Sequence, residues 1–404
     1  MRGSSAVSTA LALSLLFGGP ADVSAQTAVV SCGQMVKGDA VLPADLDCSA
    51  APSPALRLGA RAHLDLAGHA LTGDVFCVDD CRVTGPGSVI GSLLSTGAGE
   101  HGNLSVSSVI VDGDIYTWHS VALSDSQLSG DIDASRVEGF VAIDDSTFDE
   151  AFGFRMIVSR SHGVRIGGDS ARITGSSFEN LYCRKCTVWD SDISGGGIEC
   201  DQFVYTGHGG FAHRGTLALV SSSMLNTVDG ILCAQKVTIE GSQLSGNTGG
   251  IWVDGFSLSP AEFDRVYGRV IIVGSEIDGG GDGEIYARMG VKVSDSNISG
   301  QETGVHTSGP IKIRNSTISG NSSFGIESGD GTVKLDNTSV VGNGDHATCY
   351  SDIPPPSCVD ILGEGRHPPE LVNGSSCGTS LHRNPDYPDS SDIAWVPWGV
   401  CSAD

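Results

Sequence analysis

The sequence predicts an all-β fold, a right-handed single-stranded parallel β-helix of about 13 coils with disulfide-bearing caps at both ends. Three observations lead there: one ten-residue template recurs along the chain, its apolar places alternate with period two, and the spacing between copies is too short for crossover helices. Residues 291–300 read VKVSDSNISG and 311–320 read IKIRNSTISG, with VKLDNTSVVG from 333 and VTIEGSQLSG from 237. The template asks for apolar residues at places one, three and eight, Ser at six, and Gly or Asn at ten. A search for internal period comes before any residue-level assignment, because missing it misreads the whole fold.

Units start at Leu64, Cys81, Leu104, Val121, Val141, Ala171, Cys186, Leu217, Val237, Val270, Val291, Ile311 and Val333. Apolar places one and three flank a more polar place two, which is the signature of a strand with one buried face. Place six is Ser at 126, 146, 176, 191, 222, 242, 275, 296 and 316, then Thr338. Stacked hydroxyls there are expected to satisfy one another and nearby backbone groups. Asn315 and Asn337 begin a second ladder at place five. After the Gly of place ten, steps ending in Ile198, Ile231, Ile251, Val305 and Ile326 mark a second strand per coil. Parallel strands need a crossover of a dozen or more residues, usually helical. These short spacings leave coiling as the alternative.

A rod of stacked coils has two open ends that need covering. Residues 26–60, with Cys32 and Cys48, are expected to cap the start, residues 61–345 to form the repeat domain, and the Cys- and Pro-rich 346–404 to cap the end. Met1 to Ala25, with Arg2, an apolar run from Ala10 to Phe17 and the small residues Val23-Ser24-Ala25, reads as a secretory signal cleaved after Ala25. All 12 Cys follow it, which favours disulfides in an oxidising compartment. Register stacks Cys200 on Cys233. Nearness pairs Cys32 with Cys48, Cys77 with Cys81, Cys349 with Cys358, and Cys377 with Cys401. The Cys183-x-x-Cys186 motif admits two readings, a disulfide or, with Cys200 and Cys233, four zinc ligands.

Net charge is −25, with 23 Lys plus Arg against 48 Asp plus Glu. Such a surface repels nucleic acid and anionic membranes at steering distance. No later segment has the ~20 consecutive apolar residues of a membrane helix, so membrane insertion is not expected.

The segment ALRLGARAHLDLAGHALTG (55–73), the Cys-bearing stretch before it and the later NxxxGI steps resemble secreted right-handed β-helix repeat proteins, the pectate-lyase-like superfamily with its NosD-like members. The resemblance covers roughly residues 30–345 and implies the fold. For activity it implies only a range, from polysaccharide lyases and glycoside hydrolases to epimerases, adhesins and tail spikes. Of the polygalacturonase-type signatures only Gly207-His208-Gly209 stands in the sequence, so no family active site carries over.

Three long units, from Val141, Cys186 and Val237, are expected to push out loops at 154–168, 201–214 and 254–268. The first two gather Arg155, Arg160, His162 and Arg165, then His208, His213 and Arg214. Asp125 and Asp145 share place five of adjacent units, with Asp144 beside them. At ~5 Å spacing such carboxylates hold a divalent cation such as calcium or act as an acid and nucleophile pair. Asp125, Asp144, Asp145, Arg155, Arg160 and His162 are therefore candidate catalytic residues. The competing reading makes the Asp residues turn formers. Lys292, Lys312 and Lys334 repeat at outward place two and suit anionic groups along a glycan, or form a solvated face. Trp252 is a candidate sugar-stacking residue beside His208, His213 and Arg214. These features point to an extracellular acidic polysaccharide as partner, bound and open to cleavage by lyase or hydrolase chemistry. The rival expectation is a noncatalytic adhesin-like rod.

Overall fold

The computed structural model describes residues 30–344 except 96–101, 135–138, 201, 207–209, 255–267, 282 and 330, together with 359–363, 369–378, 380–383 and 395–397. Every regular element in it is a strand. The strands stack in three parallel columns, most coils contributing one strand to each, with only single bridges at Thr147 and His162 continuing the third. The fold is a parallel β-helix. The first column runs from Met35–Val36 to Ser380–Arg383, the second from Asp39–Val41 to Glu370–Val372, and the third from Leu46–Asp47 to Ser376–Cys377.

Among the described residues the second column counts 16 strands, three more than the template found. Two of the three are Asp39–Val41 and Glu370–Val372, within the segments expected to be caps. The third corrects the loop expected at 154–168. Met156 pairs with Val141 on one side and Ala171 on the other, so these residues form a regular coil. Place eight of that coil is Gly163, which broke the apolar pattern. A Cβ there would lie 2.3 Å from the Phe148 ring of the preceding coil. The ring fills the space that an apolar side chain occupies elsewhere. The Leu64 unit is also out by two, since Leu64 pairs with Val83 and not with Cys81.

At 201–214 the expected protrusion is an antiparallel hairpin, Gln202–Thr206 against Gly210–Arg214. The segment expected to bulge at 254–268 lies almost wholly outside the described residues.

Alternation puts places one and three inside. Val237 and Ile239, or Val291 and Val293, are buried while place two faces out. A third inward lane at place eight runs through Phe178, Ile193, Met224, Leu244, Ile277, Ile298, Ile318 and Val340. Each such aliphatic side chain contributes roughly 1.5–3 kcal/mol by burial. Together they make one continuous core along the rod.

Between the second and third columns the chain turns on a single residue, place five. Asp125, Asp145, Arg160, Gly175, Asp190, Ser221, Gly241, Gly274, Asp295, Asn315 and Asn337 all sit there with φ between 47° and 57°. That left-handed region penalises most side chains and is least costly for Gly, Asn and Asp, which accounts for the composition of the place. The buried Ser of place six follows. Ser176 Oγ donates to Thr174 O at 2.9 Å in its own coil and accepts the Ser161 N–H at 3.2 Å from the coil before. The same two bonds recur from Ser126 to Ser296. The hydroxyls thus satisfy backbone groups and not one another. The expected Asn ladder is present outside them, with Asn337 donating to Asn315 and Asn315 to Asp295.

Disulfides join Cys32 to Cys48, Cys77 to Cys81, Cys183 to Cys186 and Cys200 to Cys233. The four sulfurs with zinc-ligand spacing are therefore joined as two disulfide bonds. Cys377 is also disulfide-bonded. Cys349, Cys358 and Cys401, like the signal segment, lie outside the described residues. Disulfides suit an oxidising compartment, and no helix among the described residues is long and apolar enough to cross a membrane.

Candidate functional site

The outward lane of the first column carries the most distinctive chemistry. Each strand there has two inward residues around one outward residue, and the register aligns those outward residues along the rod. Phe76, Leu94 and Tyr116 lead into Asp133, Phe152, Gly167 and Tyr182. Glu199, Leu232, Trp252, Tyr286 and His306 continue it. Tyr116, Tyr182, Leu232 and Trp252 are exposed. Large apolar residues concentrated on one outward lane are a surface feature that needs an explanation, whereas scattered ones do not.

At one end of this ridge Trp252 stacks on Tyr286, with centroids 4.2 Å apart and planes 25° off parallel. His306 meets Tyr286 edge-on at 5.0 Å and lies 3.1 Å from the Glu284 carboxylate. Burial, with the Asp254 charge adding, pushes the Tyr286 phenol above its ordinary value.

Midway along, Gly167 and Gly168 open a notch of about 360 Å³ lined by Phe152, Phe154, Asp169, Tyr182, Arg184 and Glu199. A Cβ on Gly167 would come within 2.4 Å of the Phe152 ring, so glycine lets that ring lie flat at the notch. The charges beside it are paired: Arg184 with Asp169 at 2.7 Å, and Arg165 with Glu150 at 2.5 Å, Arg165 also standing 5.9 Å from the Tyr182 ring centroid.

One coil below, Asp131 precedes the strand Ile132–Ala134, whose Ile132 pairs with Ala151 next to Glu150. Burial raises its pKa above the ordinary aspartate value, with the Glu150, Asp114 and Asp149 charges adding and the Glu150 N–H opposing. Glu150 is paired with Arg165. A desolvated carboxyl beside a carboxylate paired with arginine is the kind of pair that serves as acid and nucleophile. One rung of about 4.8 Å separates their backbones.

The residues singled out in the sequence divide differently. Asp144, Asp145, Arg160 and His162 do come together, at the corner between the second and third columns. Arg160 bonds Asp144 and lies 3.8 Å from Asp145, and His162 Nδ1 is 2.7 Å from Ser177 Oγ. Asp125 is one rung below Asp145. Both adopt φ near +50° as part of the one-residue turn, so the fold itself accounts for their identity. Arg155 stands apart, in register with Phe140 and Ser170 at the other edge of the second column.

His213 and Arg214 belong to the hairpin strand Gly210–Arg214, while His208 lies outside the described residues. Lys292, Lys312 and Lys334 stack in register, and Lys334 is tied to Glu370 at 2.6 Å.

No protein-family model matches the chain, and neither a curated protein nor a solved structure does. The reading of the site therefore rests on its own geometry. Of the ridge, sequence reasoning singled out Trp252 alone. The missing signal was the residue following each second-strand apolar step, as in Leu181-Tyr182-Cys183, Ile251-Trp252-Val253 and Ile285-Tyr286-Ala287.

Proposed function

We propose that the protein binds polysaccharide along the outward face of the first column. The observation that carries this is the in-register lane of Phe, Tyr, Leu and Trp side chains, interrupted by carboxylates. Sugar rings have an apolar face of C–H groups and a polar rim of hydroxyls. An aromatic platform edged by carboxylates offers complementary partners to both. The ~4.8 Å rung is close to the length of one sugar ring, so an extended glycan running along the rod meets a new side chain at each residue. Because the Arg residues beside the notch are paired, this face suits neutral glycans better than acidic ones.

Kinship with secreted pectate-lyase-like β-helix proteins, and export by the Met1–Ala25 segment, belong to the same proposal. Support comes from the NxxxGI steps, the parallel ladder and the disulfides.

Calorimetric titration of the full chain with neutral oligosaccharides tests the reading. Trp252→Ala and Tyr182→Ala are each expected to weaken binding about tenfold, on the order of 1.4 kcal/mol. A panel in which no glycan binds, or in which both variants bind like the parent, would sink it. One observation favours a second reading, cleavage of the bound chain: the desolvated Asp131 beside the Arg165-paired Glu150. Release of reducing ends that stops in Asp131→Asn and in Glu150→Gln would support it, and release unaffected by both would remove the pair from the chemistry.

A further inference from the structure

The charge of this acidic chain is not evenly spread. On the second column, places zero, two and four face outwards. At place zero the register carries Arg155, Lys185, Lys236 and Arg269, and at place two Arg172, Lys292 and Lys312. Arg314 stands at place four. Between Arg155 and Arg314 the only acid at an outward place of these described strands is Glu240. All these cations are exposed. Arg314 lies 3.8 Å from Asp336, and Arg172 stands 4.6 Å from the Trp189 ring centroid. None of the others makes an ion pair with a described residue, unlike Arg160, Arg165, Arg184 and Arg288 on other parts of the surface.

Exposed cations at one-rung spacing repel one another, and evenly mixed charge would remove that cost. Here a face of net positive charge is kept on a molecule of charge −25. Arg269, Lys292 and Lys312 also rim a depression of about 320 Å³ floored by Ile271, Met289 and Pro310.

We infer that the second-column face is an anion-binding strip for a linear acidic polysaccharide, carrying sulfate or carboxylate groups, distinct from the aromatic ridge of the first column. A five-residue strand is about 16 Å wide, and eight rungs extend the strip about 34 Å. A thin polymer fits inside that width. A membrane surface or a nucleic-acid duplex is broader and meets the acids of the flanking columns, such as Asp192 and Glu276 on the third and Glu199 and Glu327 on the first. The apolar floor receives the C–H faces of the sugar while the rim cations take its anions.

The test uses dextran sulfate and uncharged dextran, which differ in charge on a common backbone. The full chain is expected to bind dextran sulfate more tightly than dextran, with the difference falling as salt rises. The triple variant Arg269→Gln, Lys292→Gln, Lys312→Gln is expected to lose at least tenfold. Arg82→Gln, which removes an exposed cation of the same column outside the strip, is expected to retain the parent affinity, which separates the strip from a general loss of charge. The idea is overturned if dextran sulfate does not bind at low salt, or if the triple variant binds as the parent does. It is overturned equally if duplex DNA or phosphatidylserine vesicles bind as tightly as dextran sulfate. Circular dichroism of the variant, whose changed side chains all face solvent, confirms that any loss comes from an intact rod.

Discussion

Removing one hydroxyl from the inner Ser ladder tests the account of the one-residue turn. In Ser176→Ala the Ser161 N–H loses its acceptor at 3.2 Å and Thr174 O loses a donor at 2.9 Å, at a position only 5% exposed. Leaving a buried donor unmade costs about 1–3 kcal/mol, whereas the outward Ser170, whose side chain makes no such bonds, should change by less than about 0.5 kcal/mol. Because a stack of coils need not unfold in one step, a single melting temperature is the wrong observable. Native-state hydrogen exchange reads the Ser161 amide directly. The expected acceleration is about 5- to 150-fold, the equivalent of 1–3 kcal/mol, largest at Ser161 and its coil. Ser176→Thr keeps the hydroxyl, as Thr338 does in the native ladder, and should restore much of the protection. If Ser161 exchanges at the parental rate in Ser176→Ala, the hydroxyl is not the acceptor of that amide and the reasoning fails.

Two further outcomes follow from the packing and the charges. Gly163→Ala places a methyl 2.3 Å from the Phe148 ring and should cost about 1–3 kcal/mol by overpacking, seen as a lower denaturant midpoint. Combining it with Phe148→Leu should recover part of the loss, and strict additivity of the two changes would argue against the contact. For Asp131, burial raises the folded-state pKa. Below the ordinary aspartate value both states are protonated and no penalty exists. As pH rises past that value the unfolded chain ionises first, and the folded state loses relative stability until its own pKa is passed. Asp131→Asn should therefore raise the stability of its coil, read by native-state hydrogen exchange, at pH 7 and change it little near pH 3, about one unit below the ordinary aspartate value. An equal shift at both pH values would rule out the ionisation account.

Much of the fold could be read from the chain because a strand with one buried face writes its period into the residues. Val237, Ile239 and Leu244 occupy places one, three and eight of a template that holds for most coils, and Ser242 marks the turn. The disulfide between Cys200 and Cys233 followed from the same register. The pattern failed where a neighbour substituted for the residue itself. Gly163 holds an apolar place only because the Phe148 ring, contributed by another coil, fills it, and no local rule contains that information. It also stopped at the ends, where Asp39–Val41 and Glu370–Val372 join the ladder without the full template.

The candidate site was less legible for a related reason. Asp125 and Asp145 drew attention as stacked carboxylates, but φ near +50° assigns their place to the turn. That distinction lies in the backbone and not in the residue type. The first-column ridge is spread over residues from Phe76 to His306, one per coil, with irregular sequence spacing. Only the coil-to-coil register makes Tyr182, Trp252 and Tyr286 members of one lane. The basic strip is likewise invisible in a composition of 23 cations and 48 acids, since net charge carries no direction. The sequence by itself determined that the chain coils, because period and burial are local properties repeated many times. Tertiary structure decided which outward residues share a face, because that depends on how many residues each turn inserts between one strand and the next.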